Sequence, residues 1–129
     1  MTADLADVPE ALRPAAAAAL RAAGVEGGHL SVELVGREQI RDLNLRHRGL
    51  DEPTDVLSFP IDGAEFVAGP RELGDVAICP ELTADMIEAT VHGVLHLCGF
   101  DHEVDDGEML DLQDSVVGGL HESRTSPNR

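Results

Sequence analysis

The sequence predicts an α+β domain, a small sheet with helices packed on it. Three short runs alternate apolar and polar residues as half-buried strands do, and four other segments read as helices. Strands and helices do not alternate strictly, which argues against a doubly wound parallel sheet. The second and third strands follow one another directly across a Gly-rich stretch, which predicts an antiparallel pair.

Residues from about Pro9 to Ala23 are rich in Ala and Leu and end at Gly24, a helix with glycine beyond its C-cap. Pro14 implies a kink there or a later start. His29–Val35 is the first strand by alternation. Arg37–Arg46 is a short helix with apolar Ile40, Leu43 and Leu45, and Arg48-Gly49 opens a loop. Thr54–Phe59 is the second strand, stopped by Pro60. Ile61–Arg71 is Gly-rich and irregular. Leu73–Cys79 is the third strand, stopped by Pro80. Thr83 is the expected N-cap of the next helix, and Glu108–Leu120 forms the last one. Residues 1–122 are expected to form one domain with its own core, and residues 123–129 a polar, disordered tail. No internal repeat is visible.

Formal net charge is −16, from 25 acidic against 9 basic residues, and every basic residue is arginine. Such a chain repels polyanions unless local charge reverses the field. There is no Trp or Tyr, so a stacking platform for bases is thin. Cys79 and Cys98 do not make a disulfide framework, and no disulfide-linked partner is expected. The N-terminus lacks a signal-peptide pattern and the Ala15–Ala19 run is too short for a membrane span. The cytoplasm is the expected location, with no membrane partner.

The densest chemistry lies in His92-Gly93-Val94-Leu95-His96-Leu97-Cys98-Gly99-Phe100-Asp101-His102, with H-x-x-x-H-x-x-G-x-x-H spacing. A helix turns roughly 100° per residue, so His92 and His96 share a face about 6 Å apart along the axis. A continued helix would turn His102 away. Glycine alone enters the left-handed C-cap conformation without steric cost, and Gly99 stands where the chain must fold back. Three neutral imidazoles suit Zn²⁺, with Ni²⁺, Cu²⁺ or Fe²⁺ as alternatives, and leave a fourth position for water as catalytic zinc sites do. The bland alternative is a pair of histidines packed on a partly buried helix. Cys98 would point elsewhere and reads as core.

The spacing equals that of the metzincin peptidases, except that Gly93 stands where their general-base glutamate would be. Glycine accepts no proton, so a peptidase of that mechanism is disfavoured.

Arg37, Arg41, Arg46 and Arg48 cluster in a window that opposes them only with Glu38 and Asp42. Arg37 and Arg41 share a helix face and read as solvated with local ion pairs. Arg48 differs: a helix-to-loop junction can aim a side chain into a cleft.

Three ordered blocks resemble the YbeY family of rRNA maturation factors, described as single-strand-specific endoribonucleases. His92–His102 resembles its H-G-x-L-H-L-x-G-Y-D-H. Asn44–Gly49 followed by Pro53–Pro60 resembles its N-x-x-x-R-x-x-x-x-P-T-D-V-L-S-F-P block, and Leu73–Ile78 its L-G-D-I-x-I strand. The similarity runs from about His29 to Leu120. It implies a zincin-like fold and a zinc-dependent hydrolase domain, with one Zn²⁺ on His92, His96 and His102 and the active-site arginine at Arg48. It also implies action on single-stranded rRNA of the small ribosomal subunit, in 16S rRNA 3′-end processing and ribosome quality control. Phe100 departs from the family's Tyr, and the stretch from Cys79 to His92 is shorter than its usual helix-loop-helix.

No general base is evident. Asp101, Glu103, Asp55 and Asp75 are candidates, each equally a partner that orients an imidazole or a turn residue. Two other readings stay open: a metal-bound ribosome-assembly factor that chiefly binds, and a metal-dependent hydrolase of another substrate.

Overall fold

In the computed structural model, which describes residues 3–25, 27–61, 72–101 and 106–125, four strands form one mixed sheet. They are β1 (Ala3–Asp7), β2 (Gly28–Leu34), β3 (Val56–Pro60) and β4 (Glu72–Ile78), in spatial order β1-β2-β4-β3. β1 and β4 run parallel to β2. β3 runs antiparallel to β4, as expected, with Ser58 opposite Val76 and Phe59 opposite Asp75. Pro60 is part of β3 rather than its stop, tolerated because β3 is an edge strand. The Gly-rich stretch expected to be irregular lies, from residue 62 to 71, outside the described residues. β1 was not expected. Its sequence, Ala-Asp-Leu-Ala-Asp, has one large apolar residue, too few for alternation to register.

The helices are α1 (Arg13–Ala22), α2 (Arg37–Arg48), α3 (Met86–Leu97) and α4 (Glu108–Thr125). Single 3-10 turns, Glu10–Leu12 and Pro80–Leu82, precede α1 and α3. Pro14 therefore marks a late helix start and lies in the first turn of α1, where its missing N–H costs nothing. α1 closes with Gly24 left-handed at φ 77°, and the Val25 amide donates to the Leu20 carbonyl at 2.9 Å. α2 runs two residues further than expected, so Arg48 is its last helical residue. Thr83 does not cap α3: its hydroxyl donates to the Cys79 carbonyl at 2.7 Å, and Asp85 is the cap. α4 continues past Leu120 to Thr125, into the segment expected as a tail; residues 126–129 lie outside the described ones.

The main core lies between one face of the sheet and helices α1, α3 and α4. Leu30, Val32, Val76 and Ile78 of the sheet meet Ala15, Ala16 and Ala19 of α1, Val91, Val94 and Leu95 of α3, and Met109 of α4. Full burial of each large aliphatic side chain contributes about 1.5–3 kcal/mol. A second, smaller cluster on the opposite face joins Ile40 of α2 to Leu57 of β3 and Ala77 of β4, beside Val35 and Cys79.

The rest of that face is polar. The Ser31 hydroxyl donates to Asp75 at 2.5 Å. His29, on β2, is held between carboxylates of the two flanking strands: one ring nitrogen meets Glu72 and the other Asp7, at 2.7 Å. The hydrogen bond to Glu72, then that to Asp7, raise its pKa from 6.5 to about 9.

Candidate metal centre and active-site cleft

α3 carries the two central histidines, and its position is set by a cap, a glycine and a stop. The Asp85 carboxylate accepts from the Ile87 and Glu88 amides at 3.0 and 3.1 Å, satisfying two otherwise orphaned donors. At mid-helix, Gly93 lies flat on the sheet, and the Ser58 hydroxyl of β3 donates to its carbonyl at 3.0 Å. With Gly93 on the sheet side, His92 and His96 face outward, ring centroids 4.8 Å apart and nearly edge-on at 72°. The helix ends as expected. Gly99 is left-handed at φ 100°, the Phe100 amide donates to the Leu95 carbonyl at 3.1 Å and the Gly99 amide to that of His96 at 3.0 Å. Phe100 packs back on the core, and Cys98, the C-cap, also lies partly buried against it. His102, the third expected ligand, lies outside the described residues, as does Glu103.

Arg48 arrives from the other side of the cleft. The last turn of α2 carries it, and left-handed Gly49, φ 73°, turns the chain away immediately after. Buried Asn44, one turn earlier, donates to the Glu52 carbonyl at 2.8 Å and so fastens the loop between α2 and β3. Other arginines of the cluster are engaged locally: Arg41 with Asp51 and Arg46 with Asp42, both at 2.7 Å. Among the described residues Arg48 has no ion-pair partner. It lines a cleft of about 510 Å³ together with His92, His96, Asp55, Ser58 and Asp101. A second lobe of about 480 Å³ continues past His92 and Asp55 toward Glu88 and Gln113.

The candidate carboxylates separate. Asp55 and Asp101 border the cleft. The Asp55 carboxylate accepts the Val56 amide at 2.8 Å, as a turn residue does. Asp75 is not at the site; it points from the opposite face of the sheet to Ser31, since Val76, its neighbour on β4, is the residue that meets α3.

One site residue was missed. The amide oxygen of Gln113, on α4, lies 2.7 Å from His92 Nδ1, within hydrogen-bond distance. The signal was available: Met109, Gln113 and Val117 are buried at helical spacing, so an amide occupies a core position and calls for a partner.

The donor chemistry fits a divalent metal. Two imidazoles one turn apart share a cleft, and the first has its Nδ1 beside the Gln113 amide oxygen. Among the described residues no group of three or more His, Cys, Asp or Glu stands together for a metal, so a full ligand set requires a donor from outside them.

The family model described as Endoribonuclease YbeY matches residues 3–121. The endoribonuclease YbeY of Rubrobacter xylanophilus is 46% identical over 95 residues, covering 70% of this chain and 66% of the relative. That of Mycobacterium marinum is 38% identical over 112 residues, covering 70% and 63%. The chain spans 63 to 66% of the length of these relatives. The solution structure of TM1509 from Thermotoga maritima is similar at 29% identity, with a TM-score of 0.53, covering 92% of this chain and 91% of that one.

Proposed function

The chain belongs to the endoribonuclease YbeY family, and on that premise we propose that it is a zinc-dependent, single-strand-specific endoribonuclease of 16S rRNA 3′-end maturation and ribosome quality control. Its setting would be the cytoplasm, on the small ribosomal subunit; no helix among the described residues is long and apolar enough to cross a membrane. The observation that carries the reading is a single cleft lined by Arg48, His92 and His96. In a chain of net charge −16, a phosphate needs a local positive receiver, and this cleft has an arginine with no competing ion pair among the described residues.

In this reading the fold is zincin-like, and His92, His96 and His102 hold one Zn²⁺. Bound there, the ion lowers the pKa of water and offsets charge on a phosphoryl oxygen. Arg48 grips the phosphate through two parallel hydrogen bonds and stabilises the transition state as its oxygens gain charge. Ser58 and Gly93 fix the angle of α3, and hence of both histidines, against the sheet. Asp55 and Asp101 border the reacting region.

A second reading, a metal-bound ribosome-assembly factor with weak or no hydrolysis, draws on the net charge of −16. One experiment separates them. Wild type, His96→Ala and Arg48→Ala, prepared identically, are given a single-stranded RNA with and without added zinc, and metal content is measured. Zinc-dependent cleavage lost in both variants is expected. Equal cleavage by all three would mean a contaminant and would leave the binding factor as the function. The same metal analysis on His92→Ala and His102→Ala tests the ligand set.

A further inference from the structure

We propose that Gln113 is the positioning residue of the metal site: it fixes the neutral His92 ring as the Nδ1–H tautomer and aims the Nε2 lone pair into the cleft. The inference rests on the zinc reading only for its consequence; the tautomer itself does not need the metal. Gln113 is 8% exposed, on the inward face of α4, and its amide oxygen stands 2.7 Å from His92 Nδ1. A buried amide oxygen can only accept, so the hydrogen must be on Nδ1. A neutral imidazole has one hydrogen, so Nε2 carries a lone pair instead. That is the form a metal requires, and free imidazole side chains in water favour the other tautomer.

The choice of amide has a further consequence. Metal-bound histidines frequently rest on carboxylates. A carboxylate at position 113 would add negative charge beside Asp55 and Glu88, which line the same lobe. Gln113 orients the ring without adding to the field that a phosphodiester must enter.

The test uses metal-free protein first. Nitrogen shifts of ¹⁵N-histidine protein, at mildly alkaline pH, report the tautomer of each ring. Wild-type His92 should be Nδ1–H, and in Gln113→Leu it should move to Nε2–H or a mixture. Zinc affinity, by competition with a chromophoric chelator, should fall roughly 10–100-fold in Gln113→Leu and be retained in Gln113→Glu, which keeps the acceptor. Circular dichroism checks both folds. If the Leu variant does not fold, the wild-type tautomer and the Glu variant still decide. An Nε2–H ring in wild type overturns the proposal, as it would mean the amide nitrogen faces His92. So does undiminished zinc affinity in folded Gln113→Leu, or loss of affinity in Gln113→Glu equal to that in Leu. A wild-type protein with the Nδ1–H ring that binds no zinc would instead refute the metal reading and leave Gln113 as the group that orients His92.

Discussion

Gly93 and Val76 meet so closely that a methyl group on residue 93 would come within 2.6 Å of Val76 Cγ1. Real side chains do not approach so near, so α3 rests on β4 at this depth only because residue 93 has no side chain. The position that carries a general base in metzincins is here turned to the sheet. Gly93→Ala should destabilise the protein by about 1–3 kcal/mol through overpacking, and Gly93→Glu by more. Urea unfolding reads this directly. An unchanged midpoint in Gly93→Ala would show that α3 can lift from the sheet at no cost.

Gly99→Val should lower both stability and zinc content although it removes no ligand. Among the described residues nothing lies within 4 Å of the site for its Cβ, so the penalty they impose is that of the backbone at φ 100°. That costs on the order of 1–2 kcal/mol, more for a β-branched residue. Thermal melts and metal analysis of purified protein measure the two effects. Wild-type zinc content would mean that the turn after α3 does not deliver the third ligand.

Arg48→Ala should keep the fold and the metal and lose RNA cleavage by roughly 10²-fold or more, the scale for removing one preorganised donor. Arg48→Lys should be impaired too, because an ammonium cannot form two parallel bonds to a phosphate. Arg41→Ala only frees Asp51 from an exposed, solvent-screened pair and should alter salt-dependent binding alone. Single-turnover cleavage of one RNA by the three variants decides it; a wild-type rate in Arg48→Ala removes the arginine from catalysis.

His29 gives the protein a pH dependence remote from the cleft. Its pKa is raised from 6.5 to about 9 by Glu72 and then Asp7, so the folded state binds the proton more tightly than the unfolded one. The contribution is therefore fully present below 6.5 and is lost as pH rises through about 9. The ring is partly exposed, which limits it to roughly 1 kcal/mol after screening. The melting temperature of wild type relative to His29→Gln should shrink across that interval. A constant difference would mean that the two carboxylates do not hold the charged ring.

Much of this was legible along the chain because local rules governed it. The antiparallel β3–β4 pair followed from alternation and a direct connection. The turn at Gly99 followed from one glycine at a required position. β1 was not legible, because five residues with one large apolar side chain become a strand only when β2 offers an edge. The cap of α3 went to Asp85 rather than Thr83 because a 3-10 turn takes up Pro80–Leu82 and delays the helix. Asp75 stayed among four candidate carboxylates because strand parity relative to α3 needs a three-dimensional reference, Val76. Gln113 stood out as an amide at a core position, but which group it met was not legible, because His92 lies on another helix.

The central pair of the sheet joins segments made far apart in time. Leu34 of β2 pairs with Ile78 of β4, and β3 is synthesised between them. Until β4 leaves the ribosome, β2 has an apolar face and an open row of amides and carbonyls, a template for another nascent chain. Fragments ending before Glu72 should accordingly aggregate where the 129-residue chain does not, and the long-range parallel pairing should make folding slow for a domain of this size.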